Sequence, residues 1–319
     1  MNAVIIQKLS DLTELYKKDP EKKFKFKVAA INKALASIKQ YKYTITSGQY
    51  ATENLPHIGE GIAKRIDEIL ETGTLSELPT STSPITVSKE EKALAELLEI
   101  TGMGEVRAKA LIKNENIMSV DDYRKAIGEG RVKTTHHIDI GLKYFDDLKE
   151  RIPRKEIELM EIIIRRTFDS ISRNIIFNIC GSYRRGKETC GDIDVLFTLK
   201  DNTNDKLLQL VVEKMTKSGY LIDHLTTKGD KKYMGICKGN RRIDIRYIEY
   251  TAYYAALLYF TGSKDFNIQI RNKAIDAGYS LSEYGLKDKK SGELIELHSE
   301  EELFNLLKIP YVKPVERDI

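Results

Sequence analysis

The stretch CGSYRRGKETCGDIDVL, Cys180–Leu196, sets a glycine- and arginine-rich loop against a strand-like run that opens on two acids. In a strand, residues i and i+2 share a face, so Asp192 and Asp194 project the same way. Two carboxylates brought together repel unless a cation lies between them. The apolar run IDVLFTL supplies a rigid strand to hold them. A third acid, Asp244, stands in RRIDIRYI, another strand-like run bracketed by arginines. Three carboxylates on adjacent strands can bind two Mg²⁺ ions, the arrangement that phosphoryl transfer uses. The GSYRRG segment reads as a tight turn whose backbone, Ser182 and Arg185 can hold phosphate oxygens. A D-x-D pair alone is common on surface strands. Its union with GSxxRG and a later strand aspartate is far more specific.

Working outward, the amino-terminal third is helical: VIIQKLSDLTELY, FKVAAINKALASI and GIAKRIDEIL place apolar residues every three or four positions. ELPTSTSPITVS, Glu77–Ser88, is rich in Ser, Thr and Pro and reads as a linker. EEKALAELL, EVRAKALIK and VDDYRKAI form a second helical block. After the helix KEIELMEIIIRRTFDSIS the pattern changes to β-branched strands in NIIFNIC, IDVLFTL, KYMGIC and RRIDIRYI. From about Thr251 it returns to mixed helix and turn. Helical first and mixed second gives the fold class α+β.

LPHIGEGIAKRI (Leu55–Ile66) and ITGMGEVRAKAL (Ile100–Leu111) repeat an apolar–glycine turn that opens a basic helix. Such a turn points backbone N–H groups outward at a phosphate. The pair reads as two helix-hairpin-helix elements gripping a sugar-phosphate backbone without reading bases. Gly102 and Gly104 shape the second copy. The first keeps Gly59 but has His57 in the earlier glycine position, which predicts a weaker grip.

The 319 residues suffice for two or three domains. With 52 basic against 48 acidic side chains, net charge is only +4 and does not by itself argue for nucleic acid. No signal peptide and no membrane span is expected. Three cysteines without CxxC spacing read as free thiols in a reducing, intracellular compartment, and the lysine-rich composition suits a nucleus or a viral factory or virion alike.

The chain resembles family X of the DNA polymerases, in the polymerase beta pattern, over nearly its whole length. LPHIGEGIAKRIDEIL, ITGMGEVRAKALI, HHIDIGLKYFDDLKERIPR, CGSYRRGKETCGDIDVL, KYMGIC, RRIDIR and LLYFTGSKDFNIQIRNKA carry the likeness in collinear order. The resemblance implies a lyase-type helical domain at 1–80 and a linker at 81–88. A helical DNA-binding subdomain follows at 89–150, a nucleotidyltransferase palm at 151–250 and a nascent-base-pair-binding subdomain at 251–319. It implies a monomeric, template-directed, gap-filling polymerase of base excision repair. That enzyme joins dNTPs to a primer 3′-hydroxyl on gapped or nicked duplex DNA, without proofreading.

By the same resemblance, Asp192 and Asp194 would bind both Mg²⁺ ions, and Asp244 the catalytic one. Arg151, Ser182, Arg185 and Gly191 would contact the triphosphate, while Tyr259, Phe260 and Gly262 would pack against the sugar. Asn267 would touch the nascent base, with Arg271 and Tyr284 near the templating base. Arg242 would meet the primer phosphate, and Lys228 and Lys232 the DNA backbone. Carbonyls of Leu98, Ile100 and Met103 would hold a Na⁺ or K⁺ ion against a DNA phosphate, and those of Leu55 and Ile58 would do so in the first hairpin.

The sequence departs from the family in the lyase-type domain. The family's Schiff-base lysine is matched by Arg65, whose guanidinium stays protonated and is a poor nucleophile. Lys64 is the neighbouring amine, but one helical step turns it about 100° away. Gly61 and Glu53 replace two further lysines. The expectation is a domain that grips gapped DNA with weak or absent 5′-deoxyribose phosphate lyase activity; Lys22, Lys23, Lys25 and Lys27 are the other amines at hand. Lys264 stands where the family commonly has an acid and is expected to attract the nucleotide. Two other readings compete: a template-independent nucleotidyltransferase and a non-catalytic DNA-end scaffold.

Overall fold

A computed structural model describes residues 2–17, 24–78, 88–200, 206–226 and 229–318. Lys22, Lys23 and Lys228 lie outside the described residues, as does the linker 81–88 apart from Ser88, and so does the side chain of Lys25. The chain divides into two units, Met1–Val87 and Ser88–Ile319.

In the first unit, helices α1 (Ala3–Lys17), α2 (Lys25–Gln40) and α4 (Glu60–Thr72) follow the predicted periodicity, and α3 (Gly48–Asn54) is a short helix that the periodicity did not predict. Ile5, Leu9, Leu12 and Tyr16 of α1 share one core with Ile31, Leu35 and Ile38 of α2 and with Ile62, Ile66 and Ile69 of α4. Ser47 caps α3 by accepting the Tyr50 N–H at 3.0 Å. One expectation is corrected here: Glu77 and Leu78 are not linker. Leu78 packs on this core, and Glu77 is tied to Tyr16 and Arg65. Composition missed this because a side chain's partner across a fold leaves no mark on its neighbours.

The second unit opens with α5 (Lys89–Leu98), α6 (Glu105–Glu115), α7 (Val120–Gly128) and α8 (His136–Lys143). A Ser88–Glu91 capping box starts α5, and Leu97, Ile100, Ala108, Leu111, Tyr123 and Ile138 form its core. Next come β1 (Ile152–Pro153), α9 (Arg154–Asp169), β2 (Ile175–Ile179), α10 (Gly181–Arg184), β3 (Thr189–Cys190) and β4 (Ile193–Leu199). They lead to α11 (Leu207–Lys217), β5 (Leu221–His224), β6 (Lys232–Cys237) and β7 (Arg241–Tyr247). The GSYRRG segment, expected as a turn, is the one-turn helix α10.

Among the described residues a five-stranded sheet has the order β2-β4-β7-β6-β5, with β4 and β7 parallel and the other pairs antiparallel. Alternation gives the sheet two faces. Ile193, Val195 and Phe197 of β4 and Ile243, Ile245 and Tyr247 of β7 pack with Ile157, Ile164 and Phe168 of α9 and Leu208, Val211 and Met215 of α11. On the opposite face Leu196 joins Cys180, Tyr253, Ala256 and Leu257. The chain ends its described course with α12 (Tyr253–Thr261), α13 (Lys264–Asp276), β8 (Tyr279–Ser282), β9 (Gly285–Asp288), β10 (Leu294–Ile295) and α14 (Glu300–Leu306). Phe266, Ile270, Leu281, Leu286, Leu303 and Phe304 fill that last core. The fold is α+β, as the sequence pattern predicted. Among the described residues no helix is long and apolar enough to cross a membrane.

Candidate active site

Parallel pairing of β4 with β7 sets Asp194 directly opposite Asp244. Asp192 stands one alternation earlier, just ahead of β4, and both it and Asp194 line a cleft. Burial first, then the Asp192 and Asp244 charges, push the Asp194 carboxyl up to about 7. Burial also raises Asp192, against the pull of Arg242 and Arg151. Arg242 Nε lies 3.3 Å from Asp244 Oδ1. Among the described residues no three His, Cys, Asp or Glu side chains are already gathered as a closed ligand set. The donor set of Asp192, Asp194 and Asp244 is nonetheless all carboxylate oxygen and half-buried, which suits a hard divalent cation.

The loop reaches these acids because of one glycine. Gly181 has φ +56, and a Cβ there would collide with Asp194 Oδ2. The Cys180 N–H donates to the Asp194 carbonyl at 2.7 Å. Arg154 stacks 4.2 Å from the Tyr183 ring and donates to the Tyr183 carbonyl at 2.8 Å, while the Tyr183 hydroxyl donates to Glu161 at 3.1 Å. Arg184 and Arg317 both grip Glu300, through Arg184 Nη2–Oε2 and Arg317 Nη1–Oε1 contacts of 2.6 Å each. Glu300 and Arg317 are buried, so this cluster bonds the loop to the last subdomain. No local pattern in the sequence reveals it, since Arg184 lies more than a hundred positions from Glu300 and Arg317.

The cleft, about 800 Å³, is walled by Arg151, Ser182, Arg185, Gly191, Tyr259, Phe260, Gly262, Asn267 and Arg271, all anticipated from the sequence. Lys264, singled out as a departure, and Lys187, which was missed, also line it. Arg151 is oriented by Thr189, through Nε to Oγ1 at 3.1 Å and Nη2 to the carbonyl at 2.5 Å. Asn267 Nδ2 donates to the Tyr259 carbonyl at 2.7 Å, and its Oδ1 is buried without a partner among the described residues. The Arg271 guanidinium lies 4.9 Å over the Tyr259 ring.

Of the residues anticipated in the palm and the last subdomain, Arg242, Asp244, Tyr284 and Lys232 stand apart from the cleft wall. Asp244 meets Asp194 beside a smaller cavity with Arg246 and Phe260. Tyr284 is exposed at the β8–β9 turn. Lys232 sits opposite Arg246 on β6 and lines a separate recess with Gln209 and Asp230.

Both hairpins form. Between α5 and α6, Gly102 has φ +89, and a Cβ there would come within 2.7 Å of His137 Cβ. The Met103 N–H donates to the Ile100 carbonyl at 2.9 Å, and Gly104 caps α6; Leu98, Ile100 and Met103 thus lie in or beside one turn. Between α3 and α4, His57 takes φ 65, the left-handed conformation that glycine adopts in the second copy. Leu55 and Ile58 are buried around it, and Gly59 caps α4.

Arg65 spends its whole fork inside the protein. Its Nε and Nη2 hold Glu77 at 2.6 and 2.9 Å, and Nη1 donates to the Gly61 carbonyl at 2.8 Å. The Tyr16 hydroxyl completes the cluster on Glu77. Lys64 is exposed and ion-paired to Glu60 at 2.8 Å, which raises its pKa, the wrong direction for a nucleophilic amine. Lys27 Nζ lies over the Tyr16 and Phe24 rings, at 5.6 and 5.3 Å.

Comparison with known proteins agrees with this geometry. Residues 1–75 match the helix-hairpin-helix domain, 151–250 the DNA polymerase beta palm and 256–318 the DNA polymerase beta thumb. Over 99% of its length the chain is 31% identical to DNA polymerase lambda of Rattus norvegicus, covering 56% of that protein. It is 28% identical over 90% of its length to DNA polymerase lambda of Arabidopsis thaliana, covering 57%. Against DNA polymerase IV of Saccharomyces cerevisiae it is 25% identical over 100% of its length, covering 67%. The chain thus spans little more than half the length of the first two relatives. Its three matched domains, its paired aspartates and its relatives agree: the chain belongs to family X of the DNA polymerases.

Proposed function

We propose that this chain is a template-directed DNA polymerase that fills short gaps in duplex DNA, acting as a monomer on dNTPs and a primer 3′-hydroxyl. The observation that carries this reading is the register of Asp194 against Asp244 beside the arginine-bearing loop. Asp192, Asp194 and Asp244 would hold two divalent ions, Mg²⁺ by preference, which supply charge neutralisation and a more acidic primer hydroxyl. The protein's own part is positioning and electrostatics. Arg151, Ser182, Arg185 and Gly191 receive the triphosphate. The Tyr259–Gly262 backbone forms the sugar wall, Asn267 lies at the base edge, and Arg271 stacked on Tyr259 stands toward the template. Arg242 keeps Asp244 Oδ1 engaged until a primer phosphate draws the guanidinium away.

The hairpin carbonyls of Leu98, Ile100 and Met103 take a Na⁺ or K⁺ ion in this reading, and those of Leu55 and Ile58 do so in the first copy. Gly59, Gly102, Gly104, Lys228 and Lys232 belong to the DNA grip. The lyase step is weak or absent, because Arg65 is bonded on every nitrogen and Lys64 is held as an ammonium.

Incorporation of one dNTP into a one-nucleotide gap tests the proposal. Asp244→Ala is expected to lower the rate by about 10³-fold or more, with gapped-DNA affinity within about twofold of the parent. Undiminished incorporation would refute the metal assignment. Extension of an untemplated primer at a similar rate would favour the template-independent reading.

A further inference from the structure

One carboxylate connects the two cations that flank the phosphate end of the cleft. Asp318 places Oδ1 3.2 Å from Arg185 Nε and gives Oδ2 to Lys187 Nζ. On its other side Arg185 donates Nη1 to the Thr261 carbonyl at 2.7 Å. The guanidinium is therefore held from two directions, by Asp318 and by the carboxy-terminal end of α12. Arg317 anchors the preceding position: it is buried, bonded to Glu300 and stacked by Phe266, Phe304 and Tyr311. Asp318 is thus presented from a fixed backbone rather than from a wandering side chain. Arg185 is only 16% exposed at its side chain and Asp318 30%, so the pair is shielded enough for its geometry to matter.

We propose that Asp318 is a positioning residue for the triphosphate, setting the orientation of Arg185 and the spacing between Arg185 and Lys187. This rests on the cleft being the triphosphate site. A planar fork recognises phosphate well only when its plane is fixed, and Lys187 gains a defined place beside it. An alternative role for the same carboxylate is a counter-charge that the triphosphate must displace. The two roles have opposite signs: removing a positioning group weakens triphosphate binding, and removing a competitor strengthens it.

The experiment uses the full chain and the Asp318→Ala and Asp318→Asn variants. Asn keeps an oxygen to accept from Arg185 Nε and loses the charge. Single-nucleotide gap filling is expected to show KM for dNTP raised about tenfold in Asp318→Ala, with kcat and gapped-DNA affinity within about twofold of the parent. Asp318→Asn is expected to recover most of that loss. In parallel, calorimetric titration with inorganic tripolyphosphate and Mg²⁺ reads the same site without turnover, and there too Asp318→Ala should bind several-fold more weakly. A lowered KM in both variants, or no change in either assay, would overturn the proposal. A parent protein that binds tripolyphosphate in an Asp318-dependent way yet incorporates nothing would sink the polymerase reading and leave this one standing.

Discussion

Two charged clusters, one in each unit, are built on opposite terms. Around Arg65 the charges are closed: guanidinium, Glu77 carboxylate and Tyr16 hydroxyl satisfy one another. Around Asp194 they are open: half-buried like charges face each other with Arg242 as partial compensation, and the Asp194 carboxyl is pushed up to about 7. A closed cluster holds a fold together, whereas an open one costs stability that an incoming cation relieves. The difference separates a cluster that is already satisfied from one open to a ligand more sharply than the presence of charged residues does.

The largest effect should come from neutralising the open cluster. Asp194→Asn is expected to cut gap filling by about 10³-fold or more while stabilising the metal-free protein. The sign follows from linkage. A carboxyl raised in the folded state binds its proton more tightly there than in the unfolded chain, whose value lies near 4. Its stabilising contribution is therefore full below about 4 and is lost as pH rises through about 7. In chelator, melting of the parent should fall across that window by up to about 4 kcal/mol, and the variant should melt higher at pH 8 but not at pH 4. Mg²⁺ should restore the parent at pH 8 and do little for the variant. Identical pH profiles for the two would show that the acids are not coupled as described.

The closed cluster can be opened in the other direction. Arg65→Lys alone should give no borohydride-trapped adduct on a 5′-deoxyribose phosphate gap, because Glu77 would keep the new amine charged. Arg65→Lys with Glu77→Gln removes that partner and is expected to raise trapping at least about tenfold over the parent. An adduct in the parent itself would break the comparison, and peptide mapping would then identify which lysine is active.

These contrasts were unevenly legible in the sequence. Alternation alone exposed β4 and β7 and put Asp192 and Asp194 on one face, because a period of two is local information. The resemblance supplied the cleft residues, and they line it. What no local pattern carried was register: that β7 lies beside β4 with Asp244 opposite Asp194 is a pairing across fifty positions. The same blindness hid Asp318 behind Arg185, Glu300 between two arginines, and Glu77 inside a stretch whose composition suggested linker. Long-range ion pairs leave no periodicity, so a sequence shows which charges exist and only the fold shows which are already spent.

The smallest contrast is between the two hairpins. At one turn Gly102 occupies φ +89 at no steric cost; at the other His57 adopts φ 65 with its side chain exposed. The left-handed region costs a residue with a Cβ about 1–2 kcal/mol, and glycine returns part of that gain through a more flexible unfolded chain. His57→Gly should therefore stabilise the first unit by about 0.5–1 kcal/mol, read as a melting shift of roughly 2–8 °C. The variant's affinity for gapped DNA should move by less than about threefold, since a hairpin grips through backbone groups whose positions His57 already reproduces. A larger gain in affinity would mean that the imidazole blocks a phosphate, and the first hairpin would then be a grip impaired by its side chain rather than by its turn.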